Sequence, residues 1–549
     1  MNYKLISKTL GTYLFYFSLI LFIPLGVSLY YQFLSSPADH LQPHSSLAFL
    51  ETIVISLLLS LLFFYLGKDA KKNISRRESI LLVGLIWIVT AIVGSLPFYF
   101  SKTLENPIDA YFETMSGLTT TGATCIHPKA YDPITNKEIM IKETNIHVTE
   151  KTYSFYGTIK PIIDKKTGKV LYSGVEAVGK GILFWRSFIQ WLGGMGIVVL
   201  FLAILPTLTV GGKFLYQMEV PGPTKDTLVP RIKDTSSILW KLYLFFTILE
   251  IYLLVWTNPK IKLFDAFCIT FSNLSTGGFT VTNESIGAYN NLNTELVCMF
   301  FMLIGSTNFA LYFQLIKRKL YRIYEPDYLF FLLITLSGVI IISLTIVGHQ
   351  RVLLDGATET YTLGTALRDG AFQSMSAQTS TGFITTNYDL WPFFPQLMLL
   401  IFMLVGGMAG STAGGIKTSR IYILVKIVIH KIKNIFRPHD IRQLKIGKQE
   451  ISSTTATTVL VFFVIAIFFA VLGILLLTLD GVDPESSVAV IASSQNNVGL
   501  CFRAAGPTQS FTFLSNTSKI ITTFWMLLGR LEFFALLLLF VPSFWKVER

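Results

Sequence analysis

Apolar residues in this chain are gathered into blocks close to the ~20 residues that an α-helix needs to cross a bilayer. Ten blocks stand out, near residues 10–34, 47–66, 79–101, 182–206, 236–256, 293–316, 327–347, 395–425, 455–478 and 519–544, the eighth of them interrupted. The pattern predicts an all-α polytopic membrane protein. The first block follows Met1, Lys4 and Lys8 as the core of a signal peptide would. It is longer than such a core, and no small-residue cleavage site follows it, so it reads as a retained span. A long polar stretch at about 125–180 carries Pro128, Asp132, Pro133, Asn136, Lys165, Lys166 and Gly168. Alternation at Lys169–Tyr172 fits a small β-rich outer cap, and the composition fits a loose loop equally.

Between the blocks one short phrase occurs four times: SGLTTTGA at 116–123, SNLSTGGF at 272–279, SAQTSTGF at 376–383 and SSQNNVGL at 493–500. Aligned on Gly122, Gly278, Gly382 and Gly499, each copy has a serine six residues earlier (Ser116, Ser272, Ser376, Ser493). Thirteen residues earlier stands a residue of the helix-capping type (Asp109, Asp265, Asp369, Ser486). Each copy therefore predicts a short helix that starts on a cap and ends at the phrase. The chain divides accordingly into an N-terminal pair of spans (1–68) and four span, short helix, phrase, span units at 69–212, 213–318, 319–450 and 451–549.

The chemistry of the phrase is that of a dehydrated cation's surroundings. An ion leaving water needs oxygens in place of its hydration shell, and converging backbone carbonyls supply them. Glycine lets the backbone turn without a Cβ clash. The residues before it are small or bear hydroxyl or amide groups, and no acidic residue lies inside a phrase, which argues against a carboxylate ring. The candidate cation-binding positions are Thr120, Thr121 and Gly122; Thr276, Gly277 and Gly278; Ser380, Thr381 and Gly382; and Asn497, Val498 and Gly499. Four short helices would point their partial negative C-termini at the path. Small-residue patches also serve close helix packing in lipid, but four matched copies make packing alone a poor account.

The interruption GGMAGSTAGGIKTSR (406–420) places Gly406, Gly407, Gly410, Gly414 and Gly415 where a span should continue. Each glycine weakens a helix by about 1 kcal/mol relative to alanine, and non-helical backbone at membrane depth persists only where protein or water covers it. A mobile gate under the repeated phrases is expected. A phosphate-binding loop is not, because Ile416 breaks the required spacing and no strand precedes it. Arg530 stands in the last block with Glu532 beside it, and an ionised group in a span faces a partner or a water-filled cavity. Arg530 is expected to act with the loop as a brake on cations, the alternative being a packing ion pair. Lys417 and Arg420 read as membrane-edge anchors.

Of 549 residues, 52% are hydrophobic and 14% charged, and the net charge is +12. The basic excess sits at block ends and marks topology and lipid headgroups rather than nucleic acid. Lys68, Lys71, Lys72, Arg76 and Arg77 follow the second block, and Lys317, Arg318, Lys319 and Arg322 the sixth; these ends are assigned to the cytoplasm, as is the run from Lys426 through Lys431, Lys433, Arg437, Arg442, Lys445 and Lys448. Both termini then lie in the cytoplasm, below an inner membrane. Cys125, Cys268, Cys298 and Cys501 show no metal-type spacing; Cys125 and Cys501 are either an external disulfide or two thiols. The histidines form no catalytic motif, so an embedded enzyme is not expected, and a pure scaffold would leave the four phrases unexplained.

With these phrases, the stretches WRSFIQWLGGMGIVVLFLAILPTLTVGG (185–212), EVPGPTKDTLVPRIKDTSSILWKLY (219–243), the interrupted segment and LLGRLE (527–532) resemble the Trk/Ktr/HKT superfamily of potassium transporters, most closely its bacterial TrkH branch. The resemblance covers nearly the whole chain. It implies a pseudo-fourfold pore for potassium, a homodimer in the membrane lipid, and a cytosolic TrkA-type ring of nucleotide-binding domains, with no organic cofactor on this chain. It carries the filter onto Gly122, Gly278, Gly382 and Gly499, the gate onto 406–415 and the pore arginine onto Arg530. Glycine at the first position is similar to the potassium-selective branch. The 125–180 insert and the fourth phrase NNVGL depart from the family's usual pattern. Channel-like uptake is expected; symport with protons or sodium is the alternative.

Overall fold

The computed structural model describes residues 1–36, 41–68, 70, 75–132, 135, 137–145, 151–164, 167–196, 232–353, 356, 358–436, 445–446 and 449–546. Helix α1 (Tyr3–Ile20) runs on through α2 (Phe22–Leu29), and α3 (Ser46–Leu66) packs against α1. The two approach closely because Gly11 presents no side chain: the Ser60 hydroxyl donates to the Gly11 carbonyl at 2.7 Å.

A long helix, a short helix and a helix of 12 or 15 residues then follow one another four times. These are α4 (Arg76–Phe100), α5 (Pro107–Leu118) and α6 (Lys180–Gly194); α7 (Ile232–Thr257), α8 (Leu263–Leu274) and α9 (Leu292–Ser306), with α10 (Phe309–Ile316) after it. Next come α11 (Pro326–Ile346), α12 (Leu363–Gln378), α13 (Phe393–Leu404) and α14 (Thr418–Phe436). Last are α15 (Ser453–Leu479), α16 (Pro484–Gln495), α17 (Asn516–Arg530) and α18 (Phe534–Leu537).

Six helices among the described residues are long and apolar enough to cross a membrane: Tyr3–Leu34, Ser46–Leu66, Arg77–Phe100, Asp234–Thr257, Pro326–Ile346 and Ser453–Leu479. They coincide with six of the ten expected blocks. The eighth block breaks between α13 and α14, where the glycines predicted it. Two blocks expected to be straight are bent instead, by 93° between α9 and α10 and by 113° after α17. Averaging over ~20 residues hides a break of two or three residues. In the first case Thr307 is extended and Asn308 caps a new helix, its side chain accepting from the Ala310 amide at 2.9 Å. In the second, Glu532 and Phe533 both take positive φ, 54° and 60°. Helix α6 ends at Gly194, and residues 197–206 of the 182–206 block lie outside the described residues, as does most of 207–235.

The outer faces of the long helices are apolar, with Leu58, Leu61 and Leu62 on α3 and Val464, Ile467, Phe468 and Leu475 on α15 all exposed. Such surfaces suit lipid as solvent. Inside, Trp185 of α6 meets Phe17 and Phe49 edge to face and donates to the Gly94 carbonyl at 3.0 Å, joining α1, α3, α4 and α6.

Three antiparallel hairpins form within the insert, pairing 130–131 with 138–139, 141–145 with 151–155, and 162–163 with 170–172. The β-rich alternative therefore holds. The cap is fastened to the fourth quarter of the chain by the Tyr153 hydroxyl on Asp483 (2.6 Å) and by Tyr153 against Phe513. It is fastened to the second by Asn283, which accepts from the Val175 amide at 2.9 Å. Pro133, Asn136, Lys165 and Lys166 lie outside the described residues.

Candidate functional site

The four repeated phrases share one backbone conformation. Helices α5, α8, α12 and α16 each close with a pair of hydrogen bonds that satisfies their last carbonyls. In the first, the Thr120 amide donates to Gly117 O (3.0 Å) and the Thr121 amide to Ser116 O (2.8 Å). The same pair joins Thr276 to Asn273 and Gly277 to Ser272, Ser380 to Ala377 and Thr381 to Ser376, and Asn497 to Ser494 and Val498 to Ser493. The serine six residues before each glycine thus supplies the closing carbonyl. The hinge residue is left-handed every time: φ is 57° at Thr120, 54° at Thr276, 53° at Ser380 and 52° at Asn497. Glycine is the usual choice there, and a side chain costs about 1–3 kcal/mol. Four repetitions of one strained non-glycine residue mean that its side chain is used.

The aligned glycines complete a closed ring in chain order. Their φ values are 83°, 81°, 82° and 81° at Gly122, Gly278, Gly382 and Gly499. A Cβ on Gly122 would lie 2.2 Å from Gly277 O, on Gly278 2.1 Å from Thr381 O, on Gly382 2.4 Å from Val498 O, and on Gly499 2.3 Å from Thr121 O. Each glycine therefore faces the carbonyl that precedes the next glycine around the ring. All twelve candidate positions are brought together in these four segments.

A different polar group braces each segment just past its glycine. Glu113 accepts from the Cys125 amide at 2.9 Å and is held by the Arg186 Nε at 2.6 Å, both side chains buried. Gln190 donates to Gly277 O (2.6 Å) and accepts from the Phe279 amide (3.1 Å). The Ser376 hydroxyl donates to Phe383 O at 2.8 Å, and the Tyr388 hydroxyl donates to Cys501 O at the same distance. Cys125 and Cys501 are buried free thiols, so the disulfide alternative does not hold.

Beneath the ring the 406–415 loop is pinned at both ends and at its middle. Its ends are joined by backbone bonds from Gly406 N to Ile416 O and from Ile416 N to Leu404 O, each 3.0 Å. The middle docks on the break after α9: Met408 N donates to Ser306 O (2.9 Å), Thr412 N to Gly305 O (3.0 Å), and Gly410 O accepts from Phe309 N (3.2 Å). The broken helix thus offers carbonyls and an amide that an unbroken one would use internally. The loop also reaches two hinge residues, Ser380 and Thr276, and Asn496, which precedes a third. Gly414 N donates to the Ser380 hydroxyl at 2.6 Å, Gly415 N to Asn496 O at 2.8 Å, and Thr412 lies 3.4 Å from the Thr276 hydroxyl.

Arg530, at the C-terminus of α17, spans the remaining gap. Its guanidinium donates to the Thr120 hydroxyl (3.1 Å), Thr412 O (2.9 Å), Gly193 O (2.6 Å) and Gly194 O (2.7 Å). One side chain thereby ties the first segment, the loop and the end of α6. Glu532 is engaged by Arg420 through both oxygens, so an Arg530–Glu532 pair does not account for this cluster. Lys417 and Arg420 are buried, which corrects their reading as membrane-edge anchors. The Lys417 ammonium donates to Ala413 O, inside the fold, because the loop returns to the interior before α14 begins.

The cap assignment also changes. The N-caps are Asn106, Lys262, Thr362 and Asp483. Asp109, Asp265 and Ser486 fall in the first turn, and Asp369 lies a turn deeper because α12 has 16 residues rather than 12. These positions anchor each helix sideways: Asp109 to Lys519 and Asp369 to Arg351, both at 2.7 Å, and Ser486 to the Ala504 amide at 3.2 Å. A second glycine row escaped the sequence reading. A Cβ on Gly193, Gly305 or Gly529 would meet the last carbonyl of the adjacent short helix, at 1.8 Å from Leu118, 2.7 Å from Leu274 and 2.1 Å from Gln495. The signal was present as Leu-Gly, Ile-Gly, Val-Gly and Leu-Gly ending WLG, MLIG, MLVG and MLLG. In the third, Gly406 packs on the loop's own Gly414 instead.

The sequence family described as TrkH, cation transport protein, matches residues 163–547. The chain is 31% identical over 550 residues to the Trk system potassium uptake protein TrkH of Salmonella typhimurium, with 100% of each covered. It is 31% identical over 548 residues to the Trk system potassium uptake protein TrkG of Escherichia coli, with 99% of each covered. The crystal structure of the potassium transporter TrkH from Vibrio parahaemolyticus matches with a TM-score of 0.78 and 27% identity, over 100% of both chains.

Proposed function

Since the chain belongs to the TrkH family of cation transport proteins, we propose that it takes up potassium through the closed ring of four glycine segments. The ring is the observation that carries this reading. It brings carbonyls from four helix ends to one place, with no carboxylate in any segment, and that chemistry favours a monovalent, weakly hydrated cation. Thr120–Gly122, Thr276–Gly278, Ser380–Gly382 and Asn497–Gly499 are the filter in this proposal. The four units at 69–212, 213–318, 319–450 and 451–549 are its pseudo-fourfold walls, with 1–68 as an added pair of spans.

The 406–415 loop and Arg530 are the proposed gate. A guanidinium on the ion path repels cations, and its bond to Thr412 O couples that charge to the loop. The proposal extends to a homodimer in the inner membrane with both termini in the cytoplasm, opened by a TrkA-type nucleotide-binding subunit. Exposed Lys431 and Lys433 at the end of α14 suit such a docking face. The mechanism is channel-like. Symport with protons or sodium would want free titratable groups beside the path, whereas Glu113 is committed to Arg186.

The test is ion flux from liposomes containing the purified protein, potassium against sodium, for wild type and Gly122→Ser. Serine at φ 83° with a carbonyl 2.2 Å from its Cβ must distort the first segment, so selectivity for potassium is expected to fall about tenfold or more. Flux of neither ion, with or without the nucleotide-binding subunit, refutes the proposal. A wild-type current that reverses at the potassium equilibrium potential whatever the proton or sodium gradient supports the channel-like form; a reversal that follows either gradient supports symport.

A further inference from the structure

Glu250 lies in the middle of α7, fully buried, and takes no part in the gate described above. Its neighbour is Asn273, also fully buried, on the last turn of α8. The Asn273 amide nitrogen donates to Glu250 Oε1 at 2.6 Å and to the Cys298 carbonyl of α9 at 3.0 Å. Two atoms of this pair are left over: Glu250 Oε2 and Asn273 Oδ1 are buried and have no hydrogen-bond partner. Both are acceptors as long as the glutamate is ionised. The other ionisable groups that face it are Tyr243 on its own helix and the Cys298 thiol on α9. Neither carries positive charge, and no cation faces it among the described residues.

A buried carboxylate without a cation is among the most costly groups in a membrane interior. One proton removes the difficulty. Placed on Oε2, it turns an orphaned acceptor into a donor and supplies the donor that Asn273 Oδ1 lacks. A carboxylic acid and a primary amide pair through two antiparallel hydrogen bonds, and the observed 2.6 Å contact is the amide's half of that arrangement. Turning the amide over would not serve, because it would set Asn273 Oδ1 against Glu250 Oε1.

We infer that Glu250 holds a proton and, as the neutral acid, positions the second segment of the ring through Asn273. The link is direct. Asn273 O accepts from the Thr276 amide at 2.8 Å, one of the two bonds that set the left-handed hinge at Thr276, and Gly278 follows two residues later. Glu250 touches no candidate ion-binding position, so it is a positioning residue. The inference rests on the proposed filter for its functional consequence, and on the Glu250–Asn273 geometry alone for the proton.

The two parts are tested separately on the purified full-length protein. Infrared difference spectroscopy of wild type against Glu250→Gln at neutral pH is expected to show the carbonyl stretch of a protonated acid in the wild type only. A carboxylate signature there overturns the inference, whatever the protein transports. In liposomes, Glu250→Gln is expected to keep wild-type flux and potassium preference, because its amide offers the same acceptor and donor. Glu250→Leu is expected to lose potassium preference by roughly tenfold, leaving Asn273 Oδ1 without a donor and its amide nitrogen with the Cys298 carbonyl alone. Loss of preference in the glutamine variant, or full preference in a leucine variant that inserts normally, refutes the positioning role. Absence of all flux in wild type refutes the filter reading and leaves the spectroscopic result standing.

Discussion

Gly193 has no room for a side chain, and the reason is one carbonyl oxygen. A Cβ there would sit 1.8 Å from Leu118 O, at the end of the first short helix, and both are backbone-held. Gly168 provides the contrast, with φ 68° and nothing within 4 Å. Gly193→Ala is expected to reduce the yield of folded protein or lower its melting temperature by many degrees, while Gly168→Ala costs about 1 kcal/mol of local strain. Thermal unfolding of both variants in the same detergent checks this. Residues of this kind were half legible in the sequence. The ring glycines announced themselves by repetition, but the hinge before them is Thr, Thr, Ser or Asn, and no single residue type flags it. The caps were misplaced for a related reason: Asp and Ser are good first-turn and anchoring residues as well as caps, and spacing alone does not tell them apart.

At the scale of elements, hydropathy located the long helices because lipid imposes one simple demand, and it missed the bends because those obey another. A bent helix end exposes carbonyls and amides that must be satisfied by something specific, here the 406–415 loop after α9 and, after α17, the bend's own bonds from Glu532 N to Gly529 O and from Phe533 N to Leu528 O. The outer insert carries its own titratable element. Burial holds the Glu143 carboxyl up at about 7 from an ordinary 4.5, and pushes the His127 imidazole down. The two are 3.9 Å apart and do not form an ion pair near pH 7, where the imidazole is neutral, and the Gln509 amide faces the same carboxyl. An acid whose folded value is raised stabilises the folded form fully below its unfolded value and ceases to do so as pH rises through the folded one. The Glu143 contribution is therefore fully present below about pH 4.5 and lost as pH rises through 7. The His127 contribution is present above its ordinary 6.5 and lost as pH falls below it, so the cap is expected to loosen both above pH 7 and in acid. Limited proteolysis of the insert across that range measures it. Glu143→Gln should flatten the alkaline side of the profile, and an unchanged alkaline side in that variant would assign the effect elsewhere.

For the molecule as a whole, the proposed gate depends on contacts between distant parts of the chain. Arg530 alone connects residues 120, 193, 194 and 412. Arg530→Ala is accordingly expected to raise potassium flux several-fold in the absence of the nucleotide-binding subunit, removing about 1.5–3 kcal/mol with the one charge-assisted bond, to Thr412 O, that held the loop. Reduced or unchanged flux in a correctly inserted variant, measured beside wild type in liposomes, would count against the gate. Helical content and transport class were legible because they follow from hydropathy and from a fourfold phrase. Which helices are whole, and what fastens the loop, were not, since both depend on pairings that composition does not encode. The ring's last contact sets Gly499 against the Thr121 carbonyl, about two thirds of the chain away. Synthesis runs from one end, so three walls are in the membrane before the fourth exists, each with polar backbone awaiting its neighbour. A polypeptide released short of that final glycine is thus no weakened transporter: its lining is open along one side, and only the last tenth of translation closes it.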